Sequence, residues 1–146
     1  MYSYFAELTK IVLARHEASK GHVSATEMRL SIYGMEREEW LQLAQWVLTD
    51  WGGDFPGPVL SSHNRWIVQV PRLWRIYCSK GLATGEKLTF QEMLGNMFCP
   101  IFEATLYPEK NPEIADLLTH IVGFDSVDDE GSPEVSHFHW FESAFY

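Results

Sequence analysis

With 146 residues the chain is long enough to bury the core of one ordinary domain. Hydrophobic residues make up 46% and charged residues 21%, which suits a globular chain and argues against disorder. The formal net charge of -9 argues against a nucleic-acid partner, which needs clustered Lys and Arg, and no apolar run approaches the roughly 18 residues of a membrane span.

The elements alternate between helix and strand. Phe5, Leu8 and Val12 keep helical spacing, so Tyr2 to Ser19 reads as an amphipathic helix, ended by Lys20 and Gly21. Met28–Tyr33 alternates Leu30 and Ile32 with Arg29, Ser31 and Tyr33, the period of a strand with two unlike faces. Trp40, Leu43, Ala44 and Val47 predict a helix over Glu36–Thr49, with Glu36, Glu38 and Glu39 at its N-terminus, where the helix dipole favours negative charge. Trp51–Asn64, with Gly52-Gly53 and Pro56-Gly57-Pro58, reads as a loop.

Trp66–Val70 is the next strand, stopped by Pro71, and Arg72–Lys80 a short helix closed by Gly81. Thr89–Thr105 has the clearest helix signals: a capping box from Thr89 and Glu92, a staple from Leu88 and Met93, and an expected kink at Pro100. Its predicted buried stripe is Phe90, Met93, Leu94, Met97 and Ile101. Asn111-Pro112 opens a helix to about His120, and Ile121–Asp125 is a third strand. Long crossovers between strands demand parallel pairing, so the chain is an α/β protein. The pattern alone allows a small open parallel sheet.

Three runs end in polar or charged residues as strands feeding an active-site rim do: MRLSIYG at Met28–Gly34, RWIVQVPRL at Arg65–Leu73 and VGFDSVDDE at Val122–Glu130. Together with F-Q-E-M-L-x-N at Phe90–Asn96 and P-x-F-E-A-T at Pro100–Thr105, they resemble in order and spacing the middle of the AMP deaminases. Those are zinc enzymes that convert AMP to IMP and ammonia. The resemblance runs from about Tyr4 to Glu134, and it implies that residues 1–134 are the central part of a (β/α)₈ barrel. The whole barrel takes about 250 residues, so three parallel strands with flanking helices are expected here. Residues 135–146 read as a divergent tail, and loop 51–64 as a surface insertion beside the family.

In that family a zinc ion held by His and Asp lowers the pKa of a bound water, hydroxide adds to the purine, and a Glu shuttles protons. The resemblance places the zinc ligands, an H-x-H and runs like H-C-G-E and S-x-D-D-P, before and after this stretch. His137-Phe138-His139 is an H-x-H, but it falls after the third strand, where the family carries no such pair. It is read as incidental. His16, His22, His63 and His120 stand alone, with surface or capping roles.

Asp125, Asp128, Asp129 and Glu130 form the densest carboxylate cluster, at the C-terminal end of a strand, where barrel enzymes place function. The resemblance implies substrate contact at Asp125, Asp128 and Asp129, with a main-chain N–H near Asp128 meeting the purine ring. An acidic turn that caps the next helix or pairs with Arg29 or Arg72 is the plain alternative. The family's D-D-E-S-K-P-E is interrupted here by Gly131-Ser132, and its Lys is missing.

Arg29, Ser31 and Tyr33 share a strand face, with Gln69 and Arg72 at the next exit; they position substrate or pack a polar interior. Trp40, Trp66 and Trp74 are expected in the core, and Cys78 and Cys99 as reduced, buried thiols. MYSYFAELTK lacks the basic start and apolar centre of a signal peptide, so the cytosol is the expected compartment. The expected function is therefore AMP deamination at the family level, with AMP as substrate and the isolated chain inactive. The alternative is a non-catalytic module docking on a full-length deaminase or another partner, or on a second copy. Cut from a closed barrel, the chain is also expected to unfold with little cooperativity or to depend on a partner.

Overall fold

A computed structural model describes residues 2–19, 25–72 and 88–128. In chain order these form α1 (Tyr2–Glu17), β1 (Thr26–Ser31), α2 (Glu39–Leu48), β2 (Asn64–Pro71), α3 (Phe90–Leu106), α4 (Pro112–Thr119) and β3 (Ile121–Val127). The strands make one sheet in the order β1-β2-β3, both pairings parallel. Leu30 faces Val68 and Ser31 faces Gln69, which in turn faces Asp125. The expected α/β slice of three parallel strands is therefore the observed one, and its shape is consistent with part of a β/α barrel. The helix expected over Arg72–Lys80, together with Trp74, Cys78, His22, Asp129, Glu130, His137, His139 and the tail, lies outside the described residues.

One face of the sheet is covered. Trp66 and Val68 of β2 are buried and join a core with Ala44 and Val47 of α2, Met93, Met97 and Ala104 of α3, and Ile114 and Leu117 of α4. Trp46 of α2 meets Trp66 edge-on at 6.2 Å between ring centroids. Trp40 and Trp66 are core residues, as expected.

The helix boundaries and faces carry the corrections. α1 does not bury Phe5, Leu8 and Val12; it buries Ala6, Lys10 and Leu13. The docked face is the one bearing small Ala6 and the Lys10 ammonium, which donates to the Gly52 carbonyl at 2.7 Å. α3 buries Met93, Met97, Pro100 and Ala104 and packs Leu94 and Ile101 against the core, so four of the five predicted stripe residues face inward and Phe90 is left half exposed. The predicted capping box is present: the Thr89 hydroxyl accepts from Glu92 N, and the Glu92 carboxylate accepts from Thr89 N. α3 runs through Pro100 as one helix. Cys99 is exposed rather than buried, because it falls beside the 93/97/100/104 stripe and not on it.

Loop 51–64 is more than a surface insertion. Val59 is fully buried and its N–H donates to the Val47 carbonyl at 2.8 Å. The Asp50 carboxylate accepts from the N–H groups of Gly52 and Gly57, and those two bonds hold its pKa below the usual carboxylate range.

Candidate functional site

The C-terminal ends of β1, β2 and β3 lie side by side, because all three strands run the same way. The face opposite the helices is polar there. Arg29 of β1 reaches across β2 and donates from Nε to Asp125 Oδ2 of β3 at 2.9 Å, with both side chains partly exposed. Asp125 Oδ1 accepts from the N–H of Ser126 at 2.8 Å. The Asp125 pKa is held below the usual carboxylate range, chiefly by the Arg29 hydrogen bond, then by Ser126, with the Gln69 side chain adding to it. Its acceptor positions are thus largely committed within the sheet. Pairing of Asp125 with Arg29, one of the alternatives left open above, is observed.

This geometry carries a pH prediction. A carboxyl with a depressed folded pKa contributes stability above its unfolded value near 3.9, and loses it as pH falls through the lower folded value. Arg29→Ala removes the largest cause of the depression and should raise the midpoint of the Asp125 carboxyl titration, read by carbon-detected NMR. An unchanged midpoint would show that the Arg29 contact does not persist in solution.

The rim after β1 is over-determined. The Glu39 carboxylate accepts from four successive N–H groups, those of Tyr33 (2.7 Å), Gly34 (3.0 Å), Met35 (2.8 Å) and Glu36 (3.3 Å). α2 opens at Glu39, three residues after the predicted Glu36, and the Glu39 carboxylate satisfies the amides of the loop that leads into it. β1 ends at Ser31, two residues before the predicted Tyr33. From α3, Asn96 Nδ2 donates to the Gly34 carbonyl at 3.0 Å. Gly34 closes the MRLSIYG run and Asn96 closes the F-Q-E-M-L-x-N run, so two distant motifs meet in one bond. Sequence reasoning missed Glu39 and Asn96 as rim residues. For Asn96 the signal was its place in the F-Q-E-M-L-x-N run, whereas Glu39 lies in none of the quoted runs.

Asp128 directly follows β3 and is exposed, beside the exit of β2, where Arg72 N–H donates to the Val127 carbonyl at 2.7 Å. Tyr33 is 38% exposed at the exit of β1. Among the described residues, no group of three or more His, Cys, Asp or Glu could hold a metal ion. His120 caps α4 at its C-terminus, with Nε2 at 3.9 Å from Asp116, and the His63 carbonyl accepts from Thr26 N–H. A hollow of about 540 Å³ lies among Gln42, Gln45, Trp46, Thr49, Trp51 and Glu113. It sits at the C-terminal half of α2, far from the strand exits where α2 begins.

Comparison with known proteins places this geometry. The AMP deaminase family model matches residues 2–144. The chain is 40% identical over 131 residues to an AMP deaminase of Arabidopsis thaliana, which covers 90% of this chain and 14% of that protein. The same figures hold for the AMP deaminase of Schizosaccharomyces pombe. Human AMP deaminase 3 is 43% identical over 127 residues, 87% of this chain and 15% of its own. The chain thus spans 14 to 15% of the length of these relatives.

Proposed function

Because this chain belongs to the AMP deaminase family, we propose that it is a central slice of the catalytic barrel, supplying part of the rim on which AMP lies during hydrolytic deamination to IMP. The observation that carries the proposal is the row Arg29, Gln69 and Asp125 beneath the Glu39-pinned rim, polar groups at the C-terminal ends of parallel strands. Zinc chemistry in this reading depends on ligands that the described residues do not offer. What the chain does is orient. Arg29 and Gln69 hold Asp125, Asp125 holds the Ser126 amide, and β3 then carries Asp128 to the rim. Asp125 acts as a positioning residue; Asp128 and Asp129 are the substrate-side candidates. The cytosol, where purine nucleotides and reduced thiols coexist, is the compartment that goes with this role.

The test is a graft. Residues 4–134 should replace the matched stretch of the fission-yeast AMP deaminase with ammonia release from AMP kept within about tenfold. A soluble, folded graft with no activity would overturn the reading. The isolated chain should release no ammonia from AMP and retain no stoichiometric zinc by elemental analysis; tight one-to-one zinc with turnover would show a self-sufficient enzyme instead. One observation favours a second reading. The open face carries Glu27, Arg29, Ser31, Arg65 and Gln69, residues that tolerate water, so the chain could persist as a non-catalytic docking module.

A further inference from the structure

The hollow between α2 and α4 lies away from the strand exits, and its lining is of one electrostatic kind. Gln42, Gln45, Trp46 and Thr49 fall at i, i+3, i+4 and i+7 along one face of α2 and its C-cap. Glu113 joins them from the first turn of α4, and Trp51 from the loop after α2. This lining holds one carboxylate and no Lys, Arg or His. α2 has no basic residue in its last turn, so no cation of its own offsets the negative end of its dipole. Asp50, beside Thr49, is kept charged by the N–H groups of Gly52 and Gly57, which lower its pKa. The neighbouring cations are engaged elsewhere: Lys10 donates to the Gly52 carbonyl, and Lys110 lies over the Tyr107 ring at 4.7 Å. The two indoles are fixed in place. Trp46 is braced edge-on against Trp66, and Trp51 Nε1 donates to the Trp46 carbonyl at 3.0 Å. That bond uses the only polar hydrogen of the Trp51 side chain, so what Trp51 offers the hollow is ring surface.

We infer that this hollow receives the side chain of an arginine on a partner polypeptide. A guanidinium is planar, stacks on aromatic rings, and spreads its N–H groups in a fork that a carboxylate and amide oxygens accept together. Glu113 takes the charge-assisted pair, and the Gln42 and Gln45 carbonyls take the remaining N–H groups. An ammonium is a strongly hydrated point charge and uses such a divided set of acceptors less well. A phosphate-bearing ligand finds no cation in the lining. Free arginine brings a carboxylate of its own to Glu113 and Asp50, whereas an arginine inside a chain does not. A volume of about 540 Å³ exceeds what a guanidinium alone fills and leaves room for the stem and the flanking peptide. The formal charge of -9 draws basic segments toward the chain in the same sense. Nothing in this site depends on the deaminase reading.

The test titrates the full 146-residue chain with a capped Gly-Ser-Arg-Ser-Gly peptide, read by NMR of the Gln42 and Gln45 side-chain amides and by tryptophan fluorescence. Saturable one-to-one binding is expected. Peptides with citrulline or lysine in place of the arginine should bind at least about tenfold more weakly, since citrulline keeps the shape without the charge and lysine the charge without the fork. Glu113→Gln should weaken the arginine peptide by at least about tenfold with circular dichroism unchanged, while Glu109→Gln, outside the lining, should not. Should the isolated chain aggregate, the same titration on the yeast graft carries the same outcomes. Absence of saturable binding, equal binding of the citrulline peptide, or indifference to Glu113→Gln would overturn the inference. Free L-arginine binding as tightly as the capped peptide would replace the partner polypeptide with a small-molecule ligand.

Discussion

Trp40→Ala is expected to cost about 3–5 kcal/mol, the range for deleting a buried aromatic side chain from a core. Trp40 is 1% exposed and does three things at once. It fills the core under β1 and β2, donates from Nε1 to the Met97 carbonyl at 2.7 Å, and meets Phe124 of β3. It therefore ties α2, α3 and the sheet together. Domain stabilities total about 5–15 kcal/mol, so the variant should lose most of its helical circular dichroism or shift its urea midpoint by roughly 2 M. Trp40→Phe separates the contributions: it keeps an aromatic ring, loses the donor and some volume, and should cost on the order of 1–2 kcal/mol. A loss below about 1 kcal/mol for the alanine variant would mean that this core is not packed in solution as described.

The strands were legible because their signals are local. Alternation at Met28–Tyr33 and the apolar run at Trp66–Val70 located β1 and β2 to within two residues. The Thr89 capping box located the start of α3 for the same reason, since both partners lie within one turn. The inner face of α3 was legible apart from Phe90, whereas that of α1 was not. Periodicity says that a helix has an apolar stripe, but not whether a neighbour exists to cover it, and in α1 the stripe of Phe5, Leu8 and Val12 stays bare. At the site, Asp125 was found from its position at a strand end, and its pairing with Arg29 was one of the alternatives. Glu39 was read only as a charge near a helix dipole. Nothing in its neighbours reveals that it collects four amides behind it, because that depends on the left-handed turn at Gly34.

That turn gives the second large effect. Gly34 has φ of 72°, a conformation costing an ordinary residue about 1–2 kcal/mol. A Cβ there would sit 2.8 Å from Met97 Cγ and 3.0 Å from the Met93 carbonyl oxygen, and the latter is helix backbone that cannot step aside. Overpacking of this kind adds roughly 1–3 kcal/mol, so Gly34→Ala should cost about 2–5 kcal/mol. Gly52 is the control, with φ of 64° and nothing within 4 Å of its would-be Cβ, so Gly52→Ala carries the conformational cost alone. The difference between the two variants in urea unfolding should be at least about 1 kcal/mol and measures the close approach of the rim to α3. Equal costs would show that the loop stands off from Met93 and Met97 in solution. In the yeast graft the same substitution should also lower AMP turnover, because moving Gly34 breaks the Asn96 bond and loosens the Glu39 cradle on which the β1 rim depends. Destabilisation with turnover unchanged would confine that rim to a structural part.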